Sequence, residues 1–418
     1  MNMSQRSGRF DAIVVGVGGM GSAAAYYLAR RGKRVLGLER FGIPHTMGSS
    51  HGHTRIIRLA YYEHPSYVVL LRRAYELWRE IQETARERLL HITGSIDAGP
   101  EDSWVFKGSW DSCKLHDLPH EVLTGAELRR RYPAYHLPQQ TAALLQPEGG
   151  FLTPERCIVS YVIAAQALGA EFHAFEKVLE WVPLEGGVRV RTDRDTYEAD
   201  KLVVTAGAWN GKLLDVLDGL AVPERQVLAW LQPIRPEHFR IDTFPVFNLL
   251  VDEGRFYGFP VFGVPGFKFG KYHHLEERVD PDAVDREVHD YDERLLRSFA
   301  ERYFPDGCGP TMNLQTCMFT NTEDNHFVID LHPDYPQVSL ASPCSGHGFK
   351  FASVVGEILA DLAEKGMTRH DIGLFRIDRL MRHRRPPAHR TERPEQVFQE
   401  QDGRPRSFPR AEDVKPFW

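Results

Sequence analysis

The sequence predicts an α/β chain of two domains, α+β in overall arrangement. One is built on a Rossmann-like sheet and the other on an antiparallel sheet, and both are discontinuous along the chain. Three stretches predict it. By residue 40 an apolar strand, a glycine turn, an alanine-rich helix and a second strand have followed one another. Near the other end, SLASPCSGHGFKFASVVGEILADLAEKG repeats the order strand, glycine turn, helix. Between them, residues 216–322 are aromatic and strand-like, as in VFNLLVDEGRFYGFPVFGVPGFKFGKYHH.

FDAIVVG, Phe10 to Gly16, is an apolar β-branched run of strand length. GVGGMG breaks it, SAAAYYLARRGKR has helical composition and period, and VLGLER reads as the next strand. Gly16, Gly18 and Gly21 fit GxGxxG, with Gly19 and Met20 inside the turn. The first glycine permits the tight turn, the second lets a pyrophosphate reach the backbone, and the third lets helix pack on strand. The helix N-terminus then offers free N–H groups to an anion. Glu39 closes the second strand 23 residues after Gly16, followed by Arg40. An acid there accepts hydrogen bonds from an adenosine ribose. The glycines alone occur in many α/β turns. With strand, helix, strand and acid in register they predict dinucleotide binding, without separating FAD from NAD(P).

HTMGSSHGHTRIIR, His45 to Arg58, crowds hydrogen-bonding groups into a linker; a solvated loop is the bland alternative. In the following PSYVVLLRRAYELWREIQETARERLL, Leu70, Ala74, Leu77 and Ile81 fall on one helical face. Residues 88–150 read as short strand-like pieces opening a second domain. GGFLTPERCIVSYVIAAQALGAEF predicts a return to the first domain through a turn, a helix and a strand. KVLEWVPLEGGVRVRTDRDTYEADKLVVTAGAW then reads as strands joined by a GG hairpin, ending at Ala206, Gly207 and Trp209. In the last strand–turn–helix unit, Val355, Leu359 and Leu362 give the buried face and Gly366 the C-terminal cap. The expected division is 1–87, 150–215 and 323–380 for the dinucleotide domain, and 88–149 and 216–322 for the substrate domain. Residues 381–418 form an arginine- and proline-rich extension. Interleaved acids favour a solvated or subunit-wrapping tail over a nucleic-acid arm.

Composition narrows the ligand class. At 418 residues and 42% hydrophobic, the chain can bury large cores. A net charge of -6 gives no global reason to bind nucleic acid or an anionic membrane, which leaves small molecules. Five scattered cysteines without CxxC or zinc spacing argue against a disulfide framework and a metal site. The chain shows no apolar signal core, no membrane-length run and no C-terminal SKL, so a cytoplasmic location is expected.

GSSHGHTRIIR, TAGAW, GFK, TCMFTNTEDNHFVIDLHP and GHGFKFA occur in that order. Together they resemble the monomeric sarcosine oxidase and N-methyltryptophan oxidase family, flavoenzymes of the D-amino-acid oxidase-like fold, over roughly residues 10–375. The resemblance implies FAD, and oxidation of an N-methyl or other secondary amino acid. The imine formed hydrolyses and O2 is reduced to H2O2. It implies that Thr54 and Arg55 lie close to the flavin ring, and that Arg58 and Lys350 hold the substrate carboxylate. Lys268 matches the family's oxygen-activating lysine, with Lys271 as a neighbouring decoy, and His273 and Tyr257 match residues lining the amine site. Gly346, His347, Gly348 and Phe349 stand at a helix start suited to the reduced ring's negative charge. Ser49, His51 and the backbone of Val178 complete the expected cofactor contacts. Asn248 stands where sarcosine oxidases have a methionine, a departure that argues against sarcosine itself more than against amine oxidation.

Cys317 precedes the apolar run FVIDL. Taken alone it is open to packing, a disulfide, a metal, nucleophilic chemistry or cofactor attachment. The resemblance implies a thioether to the 8α carbon of FAD, with FVIDLHP as the scaffold and Arg55 favouring the thiolate. The expected partners are a small amine and O2, with the protein a monomer or weak homo-oligomer. The alternatives are a flavin dehydrogenase using a protein acceptor, a site for cyclic or bulkier substrates, or an NAD(P)-binding or catalytically silent protein.

Overall fold

The strand Phe10–Val15 occupies the middle of an eight-stranded sheet in a computed structural model that describes residues 9–342 and 344–381. It pairs in parallel with Val35–Leu38 on one side and Thr196–Val204 on the other. A strand covered on both faces needs a continuous apolar run, which FDAIVV supplies. Glu171–His173 extends one edge in parallel. Thr196–Val204 pairs antiparallel with Gly187–Thr192 along its first half and parallel with Val338–Ser342 along its second. The helix Gly19–Arg30 packs against Pro154–Ala167 and Ala352–Lys365. Its small alanines let all three approach closely.

A second eight-stranded sheet runs in the order Thr311–Asn321, Val222–Leu231, Phe267–Lys271, Gly254–Phe259, Val246–Val251, Ser95–Gly99, Ala142–Gln146 and Glu121–Thr124. Its pairings are antiparallel except between Val246–Val251 and Ser95–Gly99. Side chains alternate across a strand. One face therefore sends Phe247, Phe256, Phe267 and Phe269 into an aromatic core. The intervening residues on the other face include Asn248, Tyr257, Phe259, Lys268 and Cys317. Register aligns Asn248 with Tyr257 and Phe259 with Lys268. A small third sheet joins Arg55–Ile57, Gly150–Leu152 and Leu90–Ile92, anchoring the end of the 45–58 linker.

Two readings need correction. Residues 88–150 and 216–322 are not only strands: they contain helices Trp104–Leu115, Gly125–Arg131 and Asp290–Tyr303. The N-cap signals were present, with Ser103 accepting from Phe106 N–H and Thr124 and Glu127 forming a capping box. Cys317 is also not held by FVIDL. It lies inside Thr311–Asn321, opposite Gln226, whereas Val328–Leu331 belongs to the other large sheet. Apolar Met312 and Leu314 alternate with polar Thr311, Asn313 and Gln315, a strand period that runs on into the buried Thr316–Thr320 stretch holding the cysteine. Of the expected C-terminal extension, residues 382–418 lie outside the described residues.

Candidate active site

Open parallel sheets bind ligands beyond the carboxyl ends of their strands. The ends at Val15, Leu38 and Val204 meet there around a cavity of about 290 Å³. Gly16, Gly18, Gly19, Met20, Glu39, Arg40, Ser49, Val178, Ala206, Gly207 and Trp209 line it. Gly16 has φ +86, and a Cβ there would stand 2.6 Å from the Thr205 carbonyl oxygen. Gly21 lies behind the lining, where a Cβ would stand 1.9 Å from the Gly16 oxygen, so only glycine allows this contact of helix and turn. A Cβ on Gly18 would meet nothing nearer than Ser50 Oγ at 3.8 Å, so its bare backbone opens onto the cavity. Val17 and Phe41 N–H donate to the Glu39 carboxylate at 2.9 and 3.0 Å, fixing the acid at the cavity's far end. Asp282, unforeseen from sequence, reaches this end. It accepts from Trp209 Nε1 at 2.8 Å and Lys212 Nζ at 2.6 Å, and pairs with Arg40.

An adjoining cavity of about 80 Å³ shares Met20, Ser49, Ser50 and Cys344 with the first. Arg55, Tyr257, Cys317 and the turn Gly346–Lys350 line it. Arg55 Nη2 donates to the Ser49 carbonyl at 2.7 Å and lies 3.6 Å from Cys317 Sγ. Cys317 itself is buried. Cys344 is a second thiol in this lining, and burial pushes it up to about 12. Lys350 Nζ donates to the His347 carbonyl at 2.7 Å, and burial, then the Arg58 charge, lower its pKa to about 7. The His347 ring shares a hydrogen bond with Tyr61 Oη at 2.6 Å, and burial pushes it down to about 3.

Behind this cavity, Lys268 is buried with Nζ donating to Gly52 O at 2.7 Å, Thr54 O at 2.8 Å and Thr54 Oγ1 at 2.9 Å. Burial, and after it Arg55, hold its pKa well below the ordinary lysine value. Neither Lys268 nor Thr54 lines the cavities; both stand one layer back. Glu155 fixes the same loop by accepting from Gly52 N–H at 2.6 Å and His53 N–H at 3.1 Å. His51 is fully buried with no hydrogen-bond partner on either ring nitrogen among the described residues. Burial and Arg55 push it down to about 3, so it is neutral.

A third cavity of about 600 Å³ shares Tyr272 and His347 with the second. His273 lines it, with Nδ1 3.0 Å from Glu224 Oε1. Glu63 also lines it, and here the sequence reading was incomplete. Arg58 is buried behind the lining, paired through Nη2 with Glu63 at 2.7 Å and, more loosely, through Nε with Asp97 at 3.8 Å. Burial opposes both charges, but each ion holds the other: Glu63 falls to about 2 and Arg58 stays above its usual range. Asn248 does not line the cavity. It donates to Asp97 at 2.8 Å and accepts from Tyr62 at 3.1 Å and Tyr272 at 3.4 Å, and these tyrosines do line it. Only the acid five residues beyond Arg58 in RLAYYEHP hinted at the pairing.

These residues fit a dinucleotide carrying a flat ring. The glycine cradle and Glu39 suit the nucleotide half, and shared lining residues continue the cavity toward Cys317 and Lys350, whereas His51 lines neither cavity. The family model "DAO: FAD dependent oxidoreductase" matches residues 11–362. A monomeric sarcosine oxidase of Bacillus sp. (strain NS-129) is 42% identical over 378 residues, covering 89% of this chain and 97% of that protein. An N-methyl-L-tryptophan oxidase of Yersinia pestis (strain Pestoides F) is 34% identical over 373 residues, covering 89% and 99%. NikD, an unusual amino acid oxidase essential for nikkomycin biosynthesis, superposes in its open form with a TM-score of 0.78 at 26% identity, covering 88% of this chain and 98% of that one. No helix among the described residues is long and apolar enough to cross a membrane. Cradle, cavity and relatives agree: the chain belongs to the DAO family of FAD-dependent oxidoreductases.

Proposed function

We propose that the protein oxidises N-methyl or other secondary amino acids with O2, and that it carries FAD through a thioether at Cys317. The observation that supports this best is one cavity lined together by Cys317, Arg55, Tyr257 and Lys350. Bound FAD supplies a two-electron acceptor and then the reductant of O2. For an N-methyl substrate the balance is R–NH–CH3 + O2 + H2O giving R–NH2, formaldehyde and H2O2. Relatives acting on sarcosine and N-methyl-L-tryptophan support the substrate class.

The chain's own groups do the positioning. The Lys350 ammonium and the Arg58 fork hold the substrate carboxylate, which takes over from Glu63 at Arg58 Nη2. Tyr257 and His273 bound the amine. Lys268, fixed by Gly52 O, Thr54 O and Thr54 Oγ1, is the group whose ammonium form favours charge developing on O2. Glu39 and Arg40 take the adenosine end. The sheet carrying Asn248 to Cys317 serves the substrate and the parallel sheet serves FAD. The partners are then a small amine and O2, the location is the cytoplasm, and the protein acts as a monomer or weak homo-oligomer.

The Asn248–tyrosine network, in place of a thioether, favours a substrate other than sarcosine, cyclic amino acids included. Oxygen consumption and H2O2 release across N-methyl, N-alkyl and cyclic amino acids test the reading. Activity on several of them with none on carboxylate-free amines is expected. Equal activity on carboxylate-free amines would overturn the roles of Arg58 and Lys350.

A further inference from the structure

We propose that Arg255 forms a second anion subsite, selecting secondary amino acids whose side chain carries another carboxylate. The inference rests on the function proposed above and narrows its substrate class. Arg255 stands on the strand Gly254–Phe259 and lines the 600 Å³ outer cavity. Its guanidinium carbon lies 3.5 Å from the Tyr272 ring centroid, 4.9 Å from that of Trp104 and 5.6 Å from that of Tyr62. Aromatic faces hold a guanidinium through its π surface, leaving the N–H groups in its plane for other acceptors. Those donors have no carboxylate within ion-pair distance among the described residues. They are also absent from the fully buried unsatisfied atoms, so they remain accessible.

The acids nearby do not fill the role. Glu63 is engaged by Arg58 at 2.7 Å and Asp324 by Arg379 at 2.7 Å, while Glu276 stands in the same lining, exposed and without an ion pair to Arg255. Lys271 adds a second cation to the same lining. Tyr272 connects the parts. It lines the inner cavity beside Lys350 and the outer one beneath Arg255, so a substrate anchored by its α-carboxylate at Lys350 extends its side chain past Tyr272 toward Arg255. A carboxylate at that end meets a rigid two-pronged donor, whereas an amide of the same shape meets a charge it cannot neutralise.

The test pairs N-methyl-L-glutamate with N-methyl-L-glutamine, which differ in charge but hardly in size. The wild type is expected to favour the acid by about 10–100-fold in kcat/KM, the range of a charge-assisted hydrogen bond. Arg255→Leu removes the preference through KM and leaves the amide within about twofold, and Arg255→Lys restores part of it. In parallel, calorimetry on the flavin-loaded protein compares glutarate with butyrate, expecting tighter glutarate binding in the wild type and none of that advantage in Arg255→Leu. Equal kcat/KM for the pair in the wild type, or an equal loss for both in Arg255→Leu, would overturn the subsite. If neither amine is oxidised while other secondary amino acids are, the subsite is overturned; if no secondary amino acid is oxidised, the proposed function fails. Calorimetry then decides the subsite alone, and equal glutarate and butyrate affinities reject it.

Discussion

Arg55 Nη2 stands 3.6 Å from the sulfur of Cys317 while donating to the Ser49 carbonyl at 2.7 Å. The sulfur that the proposed thioether would use therefore has a fixed guanidinium in contact with it. Cys317→Ser is therefore expected to release all flavin to the supernatant on acid precipitation, while the wild-type pellet stays yellow. Arg55→Met should retain the cysteine but slow attachment by about tenfold or more, followed as acid-stable flavin against time. Cys344→Ser should keep the bond, because burial raises that thiol to about 12 and leaves it unionised at neutral pH. Acid-stable flavin in Cys317→Ser would move the attachment elsewhere.

Arg58, Glu63 and Asp97 form a buried charge cluster, and such clusters tolerate the loss of one member badly. Arg58→Met leaves Glu63, at the wall of the outer cavity, and the fully buried Asp97 without their cation. A loss of about 3–5 kcal/mol in stability is expected from denaturant unfolding, together with loss of carboxylate binding. A variant as stable as the wild type would show that these charges are solvated rather than paired.

Lys350 gives the ligand affinity a pH dependence with a definite sign. With its pKa near 7 in the ligand-free protein, the amine loses its proton as pH rises through 7, and a carboxylate ligand favours the protonated form. The Kd for such a ligand should therefore rise above pH 7, by about tenfold per pH unit at the limit, with proton uptake on binding. Lys350→Met should bind more weakly at pH 6 and show a flat profile between pH 7 and 9. An unchanged slope in that variant would assign the titration to another group.

Lys268 separates oxidase from dehydrogenase. Its ammonium is held by Gly52 and Thr54 rather than by the cavity lining, so Lys268→Met should leave anaerobic reduction by substrate nearly intact. Reoxidation by O2 should fall by about 100-fold or more, the scale seen when one preorganised donor is removed. Unchanged reoxidation in stopped-flow would point to a different oxygen site or to a protein acceptor.

The legible parts of the molecule were those with local signals. FDAIVVG, GVGGMG and Glu39 declare the nucleotide site within one stretch, because strand, turn, helix and acid are all read from adjacent residues. The face shared by Asn248, Tyr257 and Lys268 follows from strand alternation, once the strands are placed. Arg58 shows the boundary. Its residue type and position were readable and its main partner Glu63 stands only five residues on, but the looser contact with Asp97 comes from a strand that only folding brings near. Lys268 was likewise expected in the pocket, whereas the loop around Gly52 and Thr54 takes all three of its donors and draws it one layer back. Helices such as Gly125–Arg131 escaped because their apolar periodicity is short, although the Thr124–Glu127 capping box marked one of them.

The most direct measurement is anaerobic mixing of the flavin-loaded protein with N-methyl amino acids, followed by admission of O2. The account predicts bleaching of the flavin absorbance, one formaldehyde per flavin, and return of the yellow colour with one H2O2. It predicts no bleaching with carboxylate-free methylamines. A flavin that no secondary amino acid bleaches, or that carboxylate-free amines bleach equally fast, would contradict it.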